Sequence, residues 1–116
     1  MAFGDITQVA LQTAMRGDWM RQTLLTNNIA NANTPGYQRE ELNFDSALRT
    51  ALQEGRSPAE IPLAPEMKPG AVNAEGNGVN IDRESAQLAE NGLEYEAIVQ
   101  VMGARNSIIK AAMGLD

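Results

Sequence analysis

The sequence lacks cysteine and histidine altogether and has only one tryptophan, two tyrosines and two phenylalanines among its 116 residues. These absences exclude disulfides, thiolate nucleophiles, imidazole bases and the usual zinc ligands, and with them most kinds of enzyme site. We therefore predict no catalytic residues, no metal site and no cofactor. Because many of the apolar residues are alanines, a compact monomer would bury little apolar area, which favours a chain whose neighbours cover part of its surface.

The sequence also lacks any excess of positive charge, since its net charge is −6 and its pI is near 4.6. This charge would repel a phosphate backbone, so we predict no nucleic-acid partner, and nothing in the sequence indicates a small-molecule substrate. Residues 1–15 contain no Lys or Arg and no long apolar run, so no cleavable secretory signal is predicted. No segment is long and apolar enough to predict a membrane span.

Helical periodicity is clear at both ends of the chain. Residues 5–31 favour one helix, with Asp5 and Gln8 spaced as in a capping box. A second long helix is predicted from near Asn80 or Asp82 to Met113, and it has apolar residues at intervals of seven. We predict an all-α fold in which these helices pack as an antiparallel coiled-coil hairpin. The predicted helix-packing residues are Leu24, Leu25, Leu88, Tyr95, Ile98, Val99, Met102 and Ile109.

The middle of the chain is rich in residues that end helices. Proline and glycine in residues 34–37 predict a type II turn, and Asp45–Gln53 predicts a short helix. Residues 55–78 contain four prolines and no sustained apolar period, so this connector is predicted to be a loop or a disordered spacer. The chain then divides into residues 1–33, 34–80 and 81–116, as an N-terminal helix, an irregular middle and a C-terminal helix of one domain.

The end of the first helix carries an unusual run of asparagines. Asparagine amides both donate and accept hydrogen bonds, so such a run suits either a helix cap or a contact between helices. The run closely resembles the signature of the bacterial flagellar axial proteins, which are the rod, hook and hook-junction subunits. The residues that match that signature are Asn28, Ile29, Ala30, Asn31, Ala32, Asn33, Thr34, Pro35, Gly36 and Tyr37.

Further matches at both ends of the chain resemble one type of proximal rod subunit in that family. The alternative assignment within the family is the related proximal rod protein C. The resemblance implies a structural subunit that polymerises through its terminal helices into the drive-shaft tube of the basal body. It also implies export without a cleaved signal to the periplasmic rod. The implied partners are the chain itself, other rod subunits, the hook-basal-body component that links the rod to the membrane ring, and the export gate.

A different reading of the same helices is a soluble helical adaptor or export chaperone that binds a partner's helix. Such a protein would be folded and discrete on its own, whereas a rod subunit would complete its burial only against its neighbours. The carboxylates Glu90, Glu94 and Glu96 are better explained by a solvated or intersubunit face than by catalysis, because nothing nearby would desolvate them.

Overall fold

The computed structural model describes residues 2–68 and 78–114. Three helices dominate this part of the chain: α1 (Ala2–Ala30), α2 (Asp45–Gln53) and α3 (Ile81–Ala112). Two short strands, β1 (Glu40–Glu41) and β2 (Glu66–Met67), and a 3₁₀ turn at Pro58–Glu60 make up the rest. The all-α prediction with two long terminal helices is confirmed.

The two long helices run antiparallel. Asn28 of α1 contacts Glu84 of α3, whereas Arg21, two turns earlier on α1, contacts Asn91, two turns later on α3. Rising residue numbers along α1 therefore meet falling numbers along α3, as the predicted hairpin requires. Among the helices in the described part of the chain, none is sufficiently long and apolar to cross a bilayer.

The ends of the helices follow from local sequence. α3 begins after Asn80, whose side-chain oxygen accepts a hydrogen bond from the Arg83 amide at 3.1 Å, and it ends before Gly114, which has a φ of 71°. After α1, Gly36 has a φ of 75° and the Tyr37 amide donates to the Thr34 carbonyl at 3.2 Å, so the predicted type II turn is present. At its other end α1 begins at Ala2, so the N-cap position predicted for Asp5 is wrong.

The connector is irregular, as predicted, but for half of its length it folds back onto α1, so this half is not a disordered spacer. β2 pairs with β1 in an antiparallel ladder that sets Glu40 opposite Met67. Pro58 is buried, and its carbonyl accepts a hydrogen bond from the Thr13 hydroxyl at 3.5 Å, 45 residues away in sequence. Residues 69–77, the remainder of the connector, lie outside the described residues.

The apolar core lies between α1 and the middle of the chain. Its buried centre is Leu24, Leu42 and Phe44. Around this centre pack Ala14, Met20, Leu48, Ile61 and Leu63. The predicted seam between α1 and α3 contributes less, because the first and last members of the seven-residue repeat, Ile81 and Ile109, are each 46% exposed.

A glycine in α1 makes room for the largest core side chain. A Cβ placed on Gly17 would collide with the Phe44 ring, whose Cδ1 would lie only 2.8 Å away. Gly17 therefore lets the chain after the turn pack directly on the backbone of α1, at the cost of about 1 kcal/mol in helix propensity relative to alanine. The equivalent test at Gly92 and Gly103 of α3 finds open space, so close packing against the described residues does not account for these two glycines.

Candidate functional site

The side chain of Asn28 is the centre of the corner where α1 ends and the chain reverses. Its amide nitrogen donates to the Glu40 carbonyl at 2.8 Å and to a Glu84 carboxylate oxygen at 3.2 Å. Its amide oxygen accepts from the Glu40 backbone amide and from the Tyr37 hydroxyl, each at 3.1 Å. Both donors and both acceptor positions of this fully buried side chain are therefore used.

The two hydrogen bonds between the Asn28 side chain and the Glu40 backbone add this side chain to the edge of the small sheet. Lys68 on the far strand donates its amide to the Arg39 carbonyl, so the backbone groups of Glu40 point the other way, towards α1. Asn28 presents an N–H and a C=O to that edge, as the peptide group of a third strand would. The first asparagine of the family signature thus joins α1, β1 and α3 at one point.

A buried ion pair lies beside Asn28. The Arg39 guanidinium donates to both carboxylate oxygens of Glu84, with Nε at 2.5 Å and Nη2 at 3.4 Å, and it also binds Glu41 and the Lys68 carbonyl. Glu84 is only 1% exposed and Arg39 7%. Because a buried ion pair is costly to desolvate and loses its value when either partner is misplaced, this pair fixes how α3 sits on the corner more than it adds stability.

The pKa shifts at the corner show that these side chains share one electrostatic environment. Burial alone would lower the pKa of Arg39, but hydrogen bonds to Glu84 and Glu41 outweigh burial and leave that pKa raised. The hydrogen bond from Arg39 in turn lowers the pKa of the Glu41 carboxyl. Burial and the nearby charges of Glu40 and Glu84 raise the pKa of the Tyr37 hydroxyl, so it stays protonated as a donor to Asn28.

The remaining signature residues divide into a local cap and an exposed tip. The Asn31 amide donates to the Asn27 carbonyl at 2.8 Å and its oxygen accepts from the Thr34 hydroxyl at 3.1 Å, which closes the end of α1. Ala32 is buried and Ile29 is partly buried. The exposed members are Ala30, Asn33, Thr34, Pro35 and Gly36.

A second polar cluster joins α1 to α3 two turns away. Asn91 donates to the Asp18 carbonyl at 2.7 Å and to the Gln22 side chain at 2.9 Å. Arg21 bonds the Leu42 carbonyl at 3.1 Å, and its guanidinium stacks over the Phe44 ring at 4.6 Å. The same guanidinium contacts the side chains of Asp18, Asp45, Asn91 and Glu94.

Asp18 is fully buried in this cluster. As a carboxylate, its Oδ2 would face no hydrogen-bond donor among the described residues. Burial, followed by a hydrogen bond to Glu94, raises the pKa of Asp18 to about 7. A protonated Asp18 can donate from Oδ2 to the Glu94 carboxylate, so the carboxylic acid is the form that the folded helix pair stabilises.

The structure separates the predicted helix-packing residues into three groups. Leu24 and Leu25 are buried, whereas Leu88, Tyr95, Ile98 and Met102 are partly buried and Val99 and Ile109 are exposed. The Tyr95 ring lies 6.1 Å from the ring of Trp19 across the hairpin, although Trp19 is 62% exposed.

Sequence reasoning missed Arg39, Glu84 and Asn91 as structural contacts. A signal for two of them exists, because Glu84 and Asn91 are seven residues apart, the same spacing as the apolar repeat beside them. A polar residue at that spacing marks the face of α3 that meets α1. Arg39 carries no such local signal, since its partner is 45 residues away.

Comparison of the sequence with known families places the chain in a class of flagellar subunits. The sequence model of the family described as "Flagella basal body rod protein" matches residues 10–38, which contain α1 from its third turn onward and the complete signature through Tyr37.

Individual relatives extend the match over most of the chain. The flagellar basal body rod protein FlgB of Yersinia enterocolitica is 31% identical, over 81% of this chain and 83% of its own length. The FlgB proteins of Salmonella typhimurium and Aeromonas hydrophila are 32% and 29% identical, the latter over 97% of this chain and 93% of its own length. The chain belongs to the FlgB family of flagellar basal body rod proteins. Membership implies a structural role in the flagellar basal body, in assembly with other rod components.

Proposed function

We propose that this chain polymerises through its two terminal helices into the wall of the proximal rod, as one domain in which the corner around Asn28 sets the angle between them. The observation that carries the proposal is an exposed apolar row along α3. Leu93, Val101 and Ile108 in this row are 69%, 48% and 68% exposed. Exposed aliphatic side chains on one helix face mark a surface that a partner covers.

The shape of the molecule supports the same proposal. Its Cα atoms span 61 × 31 × 14 Å, so the described chain is an elongated plate about as thick as two packed helices. A plate this thin has almost no interior, and most large side chains must find partners in neighbouring molecules. Helical packing between subunits supplies such partners along the whole length of α1 and α3.

The signature residues serve this assembly in two ways. Asn28, Asn31 and Tyr37 hold the corner within the chain. We propose that the exposed tip, Asn33 with Pro35 and Gly36, contacts a neighbouring subunit. The resemblance to axial proteins supports further contacts, with the component that links the rod to the membrane ring and with the export gate, and export without a cleaved signal; we propose no catalytic role.

The proposal is tested in a bacterium whose own copy of this gene has been deleted. Leu93→Asp places a charge in the exposed row without disturbing the described core, so we expect a helical, exported chain, no intact basal bodies and no swimming. Ser85→Asp introduces the same charge at an exposed position of α3 outside the row and should restore both. Normal basal bodies with Leu93→Asp would refute assembly through this face of α3.

A further inference from the structure

A groove of about 430 Å³ lies between α1, the chain around β1, and α3. Its lining includes Leu24, Leu25 and Leu42, all buried side chains. One cation, Arg21, and five carboxylates complete its charged lining: Glu40, Glu41, Asp45, Glu90 and Glu94.

The carboxylates of the groove are only partly neutralised. Arg39 binds Glu41, and Arg21 binds both Asp45 and Glu94. Glu90 is exposed and Glu40 is partly buried, and neither side chain forms an ion pair within the described residues. An apolar surface beside unpaired negative charge suits aliphatic side chains that accompany a cation.

The C-terminal half of α3 presents that combination. Val101, Arg105, Ile108 and Ala112 follow one another at steps of four, three and four residues, so they lie on one face of the helix. Arg105 makes no ion pair with any residue the structure describes, and its Nε is buried without a hydrogen-bond acceptor there. The row therefore places a partly buried arginine, without an ion pair among the described residues, between two exposed aliphatic side chains.

Charge is also distributed unevenly along the whole chain. Residues 17–97 carry thirteen acidic and six basic side chains, a charge of −7, whereas the two chain ends together carry two acidic and three basic ones, a charge of +1. Because α1 and α3 are antiparallel, both chain ends lie at the same end of the molecule. Each copy carries −6 as a whole, so opposite charges meet only where basic side chains near the end of the first copy face the acidic middle of the second.

We propose that the groove binds the Val101, Arg105 and Ile108 row of a second copy of this chain, with the Arg105 guanidinium against Glu90 and the aliphatic side chains against the leucines. The groove volume suits a few side chains and not a whole helix, whose diameter is about 10–12 Å. The contact joins two different surfaces, the groove of one copy and the row of the other. This inference rests on the proposed function and names one of its contacts.

Sedimentation velocity of the purified full-length chain tests the contact. We expect reversible self-association that weakens as sodium chloride rises from about 50 mM to about 500 mM, because the attraction is screened. Glu90→Lys and Arg105→Glu should each weaken self-association about fivefold. The two substitutions in one chain exchange the charges across the contact and should restore the wild-type association constant to within about twofold.

Two controls carry the same changes of charge at other places. Glu96→Lys lies on a different face of α3 and Lys110→Glu lies off the Val101 row, so both should associate as the wild type does, and circular dichroism should show equal helicity for all variants. Equal behaviour of Glu90→Lys and Glu96→Lys, or no recovery in the double variant, would overturn the inference. A wild-type chain that does not self-associate also overturns the inference. The proposed function is then tested separately, by whether the Leu93→Asp chain forms intact basal bodies.

Discussion

Asp18 makes the stability of the helix pair depend on pH. Burial and the hydrogen bond to Glu94 raise the pKa of its carboxyl group from 3.8 to about 7. Between these values the folded chain holds a proton that the unfolded chain has released, so the free energy of unfolding falls as the pH rises through this window. Below about 4 the two states are protonated alike, and above about 8 the loss is complete. At 1.36 kcal/mol per pKa unit, the loss reaches about 4 kcal/mol.

The substitution Asp18→Asn tests this reasoning directly. An amide keeps the shape of the protonated acid and can donate to Glu94, but it carries no charge at any pH. We expect the variant to be about 2–4 kcal/mol more stable than the wild type near pH 8, about 1–2 kcal/mol more stable near pH 5 and nearly equal to it near pH 3. Urea unfolding at a series of pH values, followed by circular dichroism, measures the difference.

The matched control is Asp45→Asn, which removes another carboxylate bound to Arg21 but one whose side chain is 52% exposed. This control should leave the fall in stability between about pH 5 and pH 8 as it is in the wild type. If the Asp18→Asn chain keeps that fall in stability, then Asp18 is not the group that holds the proton in the folded state, and the reasoning is refuted.

Three further substitutions test the corner and the core, each by urea unfolding at neutral pH. Gly17→Ala should destabilise the chain by about 1–2 kcal/mol despite its better helix propensity, because its Cβ meets the Phe44 ring. In a chain that already carries Phe44→Leu, the same change should leave the free energy of unfolding equal or raise it. A Gly17→Ala variant more stable than the wild type would contradict this packing. Asn28→Ala should cost about 3 kcal/mol or more, since it leaves buried partners unpaired; a cost below about 1 kcal/mol would show that water replaces the amide. Arg39→Met should cost about 3 kcal/mol by stranding Glu84, and combining it with Glu84→Gln should cost less than Arg39→Met alone; simple addition of the two losses would contradict a direct pair.

The elements predictable from the sequence are those held by short-range interactions. Asn80 caps α3 through a residue three positions away, and Gly36 closes its turn within four residues, so composition and spacing were sufficient for both. The two long helices followed from uninterrupted periodicity. Their pairing followed in turn, because two amphipathic helices of similar length in one small chain have few other ways to cover their apolar faces.

The folded half of the connector was not predictable, for the opposite reason. Pro58 is placed by a hydroxyl 45 residues earlier, and β2 is a strand of two residues whose partner lies 26 residues before it. Neither contact leaves a periodic pattern, and four prolines make the segment look unstructured. The family resemblance singled out Asn28 from the sequence. Only the structure shows that its side chain pairs with the backbone of Glu40 as the peptide group of a further strand would.

The distribution of buried polar and exposed apolar side chains in this chain is unusual for a monomer. Where α1 meets α3, the fully buried side chains include Asn28, Asp18 and Glu84, whereas large aliphatic side chains such as Leu93 and Ile108 face outward. Hydrogen bonds and ion pairs require partners at defined distances, so they fix the register of two helices, while apolar surfaces tolerate small adjustments. In the assembly that we propose, a subunit built in this way would bring the geometry of the hairpin already set, and its exposed aliphatic side chains would be buried on contact with neighbouring molecules.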